Sequence, residues 1–150
     1  MTTEDYGLHA STGYWVTLLA RSMESYFEKR LKAHGVTRAT WAVLSAIHHG
    51  AAETPAAIAT FIGVDCAAIT RHLDRLEKQG LLVRKPSATD RRSIMLKLTT
   101  KGKRLIPKII KHSKKTNEKF LMGLTSTEID AIRAIILKML ANADAPPKHI

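Results

Sequence analysis

The chain has 150 residues, of which 45% are hydrophobic and 25% are charged. These shares are typical of one globular domain and exclude a disordered chain. No apolar run approaches the ~18 residues that cross a bilayer, and the polar N-terminus does not have the pattern of a secretory signal. One cysteine cannot form a disulfide framework within the chain. We therefore expect a cytoplasmic protein.

The positive charge is large and unevenly distributed. Lysine and arginine total 24 against 13 acidic residues, which gives a net charge of +11. Between residues 71 and 119 there are 16 basic and 4 acidic residues, whereas the rest of the chain has 8 basic and 9 acidic residues. A localised positive field attracts polyanions. Nucleic acid and anionic membrane are both candidate partners on this evidence alone.

The first part of the chain predicts two helices. Between residues 11 and 32 the apolar residues fall in doublets with helical spacing, and Gly35 follows as a stop signal. A second helix is expected to begin near Thr37 or Thr40 and to end before Gly50.

The next segment predicts a pair of shorter helices. Thr54 and Pro55 form a strong start signal for a helix that ends at Gly63. Asp65 can cap a fourth helix, which Gly80 closes. The inward face of that helix is expected to contain Ile69, Leu73 and Leu76.

After Gly80 the periodicity changes to that of strands. The segments LLVRK and SIMLKL predict a hairpin, and the basic segment PSATDRR joins them. The fold class is therefore mainly α with one small β-hairpin.

Two helices complete the chain. Thr99 is expected to cap a fifth helix that runs to about Phe120 and bends at Pro107. Nine polar residues in a row, 111–119, predict that its second half is too hydrophilic to pack in a core. Thr125 and Glu128 form a capping box for a sixth helix.

The third and fourth helices with the hairpin form a recognisable unit. A short helix, a tight turn and a helix with a polar open face make a helix-turn-helix, and the basic hairpin adds a wing. The second helix has the width of a major groove, and arginines of the wing can enter a minor groove. This order of parts under a concentrated positive charge predicts binding of double-stranded DNA.

Residues 68–102 resemble the core signature of the MarR family of bacterial transcription regulators. The resemblance covers nearly the whole chain in length and helix order. The matching residues are Thr70, Arg71, Leu76, Glu77, Gly80, Arg84, Asp90, Arg91, Arg92, Leu98, Thr99, Lys101 and Gly102.

The resemblance implies a homodimer on a pseudo-palindromic operator. Residues 1–36 and 100–150 would form the helical dimerisation region, and residues 37–99 the winged helix-turn-helix lobe. The first and last helices also carry more apolar surface than such a lobe can cover, which favours association. The resemblance further implies a regulator, more often a repressor, whose DNA affinity responds to a small aromatic or phenolic effector.

The candidate DNA contacts lie on the recognition helix, on the cap before it and on the wing. The family uses the second arginine of the wing to probe the minor groove, with the preceding aspartate as its orienter, and these roles fall on Arg92 and Asp90. The full set is Thr54, Ala67, Thr70, Arg71, Arg75, Lys85, Ser87, Thr89, Asp90, Arg91 and Arg92.

Other residues permit two interpretations each. Trp15, Met23, Trp41 and His48 are candidates for an effector pocket, but packing in a core explains the same residues. Cys66 begins the recognition helix, where oxidation would add bulk and charge towards DNA, but a small residue that fills a tight position is the more common explanation.

Catalytic motifs are not found in the sequence, and no cofactor or metal site is expected. Two alternative functions remain open. The first is a redox- or metal-responsive regulator of the same fold that uses Cys66 or His48. The second is a basic module that binds nucleic acid or membrane without sequence specificity.

Overall fold

A computed structural model describes residues 7–87 and 93–143, and every structural statement below refers to these residues. After one turn of 3₁₀ helix at Leu8–Ala10, the order is four helices, a hairpin and two helices, as the sequence predicts. The elements are α1 (Thr12–Lys32), α2 (Arg38–His48), α3 (Pro55–Ile62), α4 (Cys66–Lys78), β1 (Leu82–Pro86), β2 (Ile94–Leu98), α5 (Thr100–Phe120) and α6 (Ser126–Ala141).

The predicted caps fix the beginnings of four helices. The Thr54 side chain accepts a hydrogen bond from the backbone N–H of Ala57 at 3.2 Å, and Asp65 accepts one from Ala68 at 2.7 Å. Thr99 does the same for the third residue of α5 at 3.0 Å. Thr125 forms the expected reciprocal box with the residue three positions later. Each bond satisfies an N–H that has no partner inside its helix.

The start of α2 uses both residues that the sequence offered as alternatives. Thr37 is the N-cap, and its hydroxyl accepts from the backbone N–H of Thr40. The Thr40 hydroxyl accepts in turn from the backbone N–H of Thr37 at 2.8 Å. A threonine therefore takes the position that glutamate usually has in a capping box.

The wing is a two-stranded antiparallel sheet joined to the helices on one side. Leu82 is opposite Leu98 and Pro86 is opposite Ile94 in the register. The backbone N–H of Leu96 donates to the carbonyl of Glu53 at 2.7 Å, so the segment before α3 lies along the free edge of β2. This bond ties the base of the wing to the start of the helix-turn-helix.

The hydrophobic core lies in the lobe formed by α2, α3, α4 and the hairpin, closed by the end of α1 and the first half of α5. Ile69, Leu73 and Leu76 are fully buried in it, so the predicted inward face of α4 is confirmed. The core also contains Leu31, Val36, Val43, Leu44, Ile47, Ala52, Ile58, Ala59, Leu81, Leu82, Leu96, Ile106 and Ile109.

The prediction for the second half of α5 is wrong in part. Thr116 is only 6% exposed, because α5 packs against α1 along this stretch. Its hydroxyl donates to the carbonyl of His112 at 2.9 Å, which satisfies the polar group inside its own helix. His112 is half-buried, and its Nε2 lies 3.0 Å from Nε2 of His34. The helix continues through Pro107.

Two helices leave large apolar surfaces uncovered within one chain. No residue of α6 is buried, and no described element packs extensively against it. In α1 only Leu31 is buried, while Trp15 is 50% exposed. The exposed apolar side chains of these helices are Trp15, Val16, Leu18, Leu19, Ile132, Ile135, Ile136, Leu137, Met139 and Leu140.

Within the described ranges, no single helix is both long enough and apolar enough to span a membrane. Helices α3 and α4, which are bent by 112° at their junction, have that length and apolarity only when they are counted together.

Candidate nucleic-acid interface

The angle between α3 and α4 has the geometry of a helix-turn-helix. The two helices are bent by 112° at their junction, within the range of about 90–120° that is usual for this motif. Gly63 ends α3 in the left-handed conformation with φ of 72°, which a residue with a side chain adopts only with strain. Asp65 then caps α4 at once. Gly63 and Asp65, both within the turn, therefore determine the direction of α4 relative to α3.

One face of α4 is open and polar. Ala67, Thr70, Arg71 and Arg75 are all exposed, so the four recognition-helix candidates share the surface opposite the buried leucines. The Thr70 hydroxyl donates to the carbonyl of Cys66 at 2.8 Å and keeps its oxygen free to accept. Neither arginine forms an ion pair with a carboxylate of residues 7–87 or 93–143. No described carboxylate therefore competes with an external acceptor for either guanidinium group.

Arg84 in β1 has a different role, which the sequence analysis did not assign. Its guanidinium pairs with Asp74 at 2.6 Å and with Glu77 at 2.5 Å, and its backbone N–H also donates to Glu77. Partial burial lowers the pKa of Arg84, but the hydrogen bonds to both carboxylates outweigh this and hold the pKa above its usual value. Asp74 and Glu77 are three residues apart on one helix, and Arg84 follows in the next strand. This spacing is the sequence signal that could have indicated the ion pairs.

The ion pairs of Arg84 reduce the negative charge on the surface of α4. Arg84 offsets one of the two negative charges of Asp74 and Glu77, and its ion pairs with both connect β1 to the helix. Arg71 and Arg75 keep their charges without a competing carboxylate among the described side chains. The wing and the recognition helix are therefore joined as one positive unit.

Only part of the predicted wing surface can be located. Lys85 is exposed in β1, and Ser87 is half-buried, with its backbone N–H donating to the carbonyl of Ser93 at 2.8 Å. Thr89, Asp90, Arg91 and Arg92 lie outside the described residues. Their assigned roles stay predictions. Thr54 is half-buried at the start of α3, where it acts as the cap described above.

A second network joins the lobe to the long helices. The Thr99 hydroxyl donates to the carbonyl of Gly80 at 2.6 Å, and Nζ of Lys101 donates to the carbonyl of Gln79 at 2.8 Å. Nε2 of Gln79 donates to the carbonyl of Gly35 at 2.7 Å. These bonds connect the start of α5, the end of α4 and the turn after α1. Sequence reasoning missed them because they join segments far apart in the chain.

The comparison with known proteins agrees with this geometry. The model of the MarR family matches residues 34–93, from the turn after α1 into the wing. A cysteine-to-serine variant of MarR from E. coli in complex with operator DNA superposes with a TM-score of 0.76 at 26% identity, over 85% of this chain and 92% of that chain. Residues 34–93 therefore match the MarR family, and the chain has the winged-helix fold of a DNA-binding transcription regulator.

Two further solved structures are similar to this chain. The reduced form of MarR from E. coli has a TM-score of 0.76 and 27% identity, and the match covers 87% of this chain and 96% of that chain. BpsR from Bordetella bronchiseptica has a TM-score of 0.79 and 22% identity, over 93% and 99% of the two chains. At that identity the second likeness shows the fold alone.

The four effector-pocket candidates do not line one common cavity. Trp41 lines a cavity of about 490 Å³ with Phe27 and Phe61, whereas His48 lines another of about 380 Å³ beside β2. Trp15 and Met23 lie in the wall of neither. The Trp15 indole donates instead to the carbonyl of His9 at 2.8 Å. Helical spacing alone could not show that these residues face different neighbours.

The remaining candidates are exposed. Cys66 is the exposed first residue of α4, and His48 and His49 are exposed at the end of α2 with ring centroids 4.9 Å apart. Within residues 7–87 and 93–143, no three His, Cys, Asp or Glu side chains come together as a metal site would require.

Proposed function

We propose that the protein acts as a homodimeric transcriptional repressor that binds a pseudo-palindromic DNA operator and responds to a small aromatic or phenolic effector. The observation that carries this proposal is the open face of α4, where Arg71 and Arg75 are exposed beside Thr70 and have no described carboxylate partner. A helix with such a face fits the major groove, where a guanidinium can make two hydrogen bonds to guanine. Ala67 supports the same role, because a small side chain lets the helix approach the bases.

Contacts to the backbone of the duplex are assigned to the elements around α4. Thr54 lies at the N-terminus of α3, where free N–H groups suit a phosphate. Lys85 and Ser87 begin the wing, with Thr89 and Arg91 as further backbone contacts. Asp90 orients Arg92, which enters the minor groove. The Arg84 cluster supports this arrangement because it anchors the wing to the recognition helix.

The second copy of the chain is proposed to cover the apolar surfaces of α1 and α6. Leu137 on α6 is 66% exposed in one chain, and the whole helix has no buried residue. Apolar surface of this extent is unfavourable in water and favours association. A dimer about a two-fold axis presents two α4 helices to half-sites about one helical turn, some 34 Å, apart.

The effector is assigned to the cavity beside Trp41. Its walls are mostly apolar, with Phe27, Phe61 and Val64, and Arg38, which pairs with Glu24, also lines it. An aromatic ring suits this lining. The DNA binding of BpsR is regulated by 6-hydroxynicotinic acid, which supports an aromatic effector for a protein of this fold.

Effector binding is proposed to change the spacing of the two lobes. The long helix α5 connects the lobe with the region assigned to the dimer, so a small rotation at its start moves α4 away from its half-site. The affinity for two half-sites depends on their register, and a change of angle weakens it.

The test is affinity selection of genomic DNA fragments with the purified full-length protein. The proposal expects enrichment of fragments that contain an inverted repeat, and a strong preference for them over scrambled sequence of the same length. The logarithm of affinity falls linearly with the logarithm of salt concentration, with a slope that counts phosphate contacts. Equal affinity for scrambled DNA would instead favour a non-specific basic module.

A further inference from the structure

One side of α5 has only basic residues. Successive residues of a helix are about 100° apart, and the six positions of α5 that fall within one arc of about 80° are all lysine or arginine. Every one of them is exposed. We use the term basic stripe for this set, whose members are Lys101, Arg104, Lys108, Lys111, Lys115 and Lys119.

The basic stripe runs along almost the whole helix. Its members follow one another at spacings of three or four residues, so nearly every turn of α5 contributes one cation. From Lys101 to Lys119 the rise is about 27 Å, which is the length of about eight base pairs of duplex DNA. The line of positive charge therefore has the dimensions of a segment of polyanion and not those of a small molecule.

The charge of the basic stripe is not compensated by the described part of the chain. None of its six members forms an ion pair with a carboxylate of residues 7–87 or 93–143. Glu118 is the single acidic residue of α5, and it forms none of the described ion pairs either. Like charges three or four residues apart on a helix repel one another. A polyanion that lies along the stripe would relieve this repulsion.

The far end of the basic stripe lies against α1 and gains another cation there. Nζ of Lys119 is 4.7 Å from the centre of the Tyr26 ring, and Cζ of Arg30 is 3.4 Å from the same centre. Arg30 also donates to the carbonyl of Tyr26 at 3.0 Å. The attraction of a cation to an aromatic face stabilises both positions. The positive surface therefore continues from α5 to α1.

The basic stripe leads away from the surface assigned to the bases. At its near end, Nζ of Lys101 donates to the carbonyl of Gln79 at 2.8 Å, just beyond the C-terminus of α4. That terminus is about 18 Å along α4 from the first turn of the helix. The other end of the stripe contacts α1, which packs mainly on α2 and α5 and not on the helix-turn-helix.

The composition of the basic stripe favours duplex DNA over other polyanions. Insertion into a membrane surface needs apolar side chains beside the cations, and the arc has none. Unpaired bases bind by stacking on aromatic rings, but the neighbouring Tyr26 is half-buried and already contacts two cations. A duplex presents phosphates on its outside, and a line of lysines is sufficient to bind them.

We propose that the basic stripe binds the phosphate backbone of a second DNA duplex, separate from the duplex assigned to α4. The contact has no sequence preference, because only phosphates are bound. The protein can then connect two segments of DNA, one held by α4 and the wing and the other held by α5. This connection rests on the function proposed above, whereas binding of a duplex to the stripe does not.

The first test measures the affinity of the full-length protein for a short duplex of scrambled sequence by fluorescence anisotropy. All variants also contain Arg71→Gln with Arg75→Gln, which removes the charges of the α4 face. Adding Lys108→Gln with Lys115→Gln is expected to lower the affinity at least about tenfold and to reduce the salt slope by about 2. The matched control is Lys103→Gln with Lys114→Gln, two exposed lysines of α5 outside the arc. This control removes the same charge and is expected to keep both values.

The second test shows whether the duplex on the stripe is a separate one. A duplex fixed to beads is expected to capture a free labelled duplex when the protein with an intact α4 face is added. Capture is expected to be lost in Lys108→Gln with Lys115→Gln and kept in Lys103→Gln with Lys114→Gln. Both tests use scrambled sequence only, so failure of α4 to recognise an operator does not change their results.

Three results would overturn the proposal. The first is equal affinity for the duplex in the two double variants. The second is tighter binding to the stripe of a single-stranded oligonucleotide, or of vesicles of phosphatidylserine and phosphatidylcholine, than of the duplex. The third is capture that does not depend on the stripe, which would show that the second duplex is held elsewhere. Circular dichroism of each variant checks that it is folded.

Discussion

The guanidinium of Arg84 in β1 lies 2.6 Å from the carboxylate of Asp74 in α4, and this pair joins the wing to the recognition helix. The Arg84 side chain is 25% exposed and that of Asp74 is 59% exposed, so only the arginine end of the pair is partly shielded from water. Shielded, hydrogen-bonded pairs of arginine with carboxylate are stronger than exposed ones. The same contact removes acidic charge from the surface that is assigned to DNA.

Breaking this pair is expected to lower stability and DNA affinity together. Arg84→Ala leaves Asp74 and Glu77 unpaired beside the DNA face, where their charges repel phosphate. A double-mutant cycle of Arg84→Ala with Asp74→Ala, followed by urea unfolding, is expected to give a coupling energy of about 1 kcal/mol. Asp74→Ala alone is expected to weaken DNA binding less than Arg84→Ala. A coupling energy of zero would show that the two side chains do not hold the wing.

Gly102 is expected to tolerate no side chain. A Cβ at this position would lie 2.0 Å from the carbonyl oxygen of Leu81, which is backbone and cannot turn away. Gly102→Ala is therefore expected to destabilise the protein by about 2 kcal/mol or more, although alanine favours a helix by about 1 kcal/mol. The measurement is the midpoint of thermal unfolding.

Gly13 in α1 provides the matched control for this substitution. Its added Cβ would meet only the hydroxyl of Ser11 at 3.6 Å, an ordinary contact. Gly13→Ala is expected to leave the unfolding midpoint unchanged or to raise it. If Gly102→Ala behaved in the same way, α5 would not approach the turn before β1 as closely as described.

The stability of the protein is expected to fall on mild acidification because of His112. Burial lowers the pKa of His112, and the nearby His34, Arg30, Lys115 and Lys111 lower it further. The folded state therefore binds this proton more weakly than the unfolded state, whose pKa is the ordinary 6.5. The stability that comes from neutral His112 is fully present above the pKa of the unfolded state, 6.5. It is lost as the pH falls through the lowered pKa of the folded state.

The measurement is the free energy of unfolding between about pH 5 and pH 8. His112→Gln is expected to show a smaller loss of stability across this range than the wild-type protein. His49→Gln, at the exposed residue that follows α2, is the control variant and is expected to keep the wild-type dependence. Identical pH profiles for wild type and His112→Gln would contradict the assignment of the proton to this residue.

A charge on the apolar face of α6 is expected to dissociate the proposed dimer. Ile132, Ile136 and Met139 form an exposed stripe at helical spacing, which the second copy would cover. Ile136→Glu would bury a carboxylate without a partner, at a cost of several kcal/mol. Sedimentation velocity is expected to show a shift from dimer to monomer.

Ala134 lies on the opposite side of α6 and serves as the control for this test. Ala134→Glu adds the same charge and is expected to leave the dimer intact. A dimer that persists in Ile136→Glu would show that the apolar stripe is not the interface.

The sequence predicted the helix starts well because caps are local. Thr54, Asp65 and Thr125 each bond to a backbone group three residues ahead, so the whole signal lies within one turn. Thr116 shows the opposite case, because its burial depends on α1, which lies some eighty residues earlier in the chain. A polar run indicates exposure only where no other element packs against it.

The site was predictable as a surface but not as a set of contacts. The inward leucines of α4 determine by periodicity that Thr70 and Arg71 face outward. The pairing of Arg84 with Asp74 and the separation of Trp41 from His48 depend on tertiary distances. Periodicity within one helix carries no information on these.

The central claim is that the open face of α4 recognises DNA sequence. The most direct measurement compares the affinity of wild type, Arg71→Ala and Lys114→Ala for a selected operator fragment and for its scrambled counterpart. The account predicts that Arg71→Ala loses about 1–3 kcal/mol of discrimination between the two fragments. Lys114→Ala, with the same loss of charge, is predicted to keep the discrimination. Undiminished discrimination in Arg71→Ala would contradict the account.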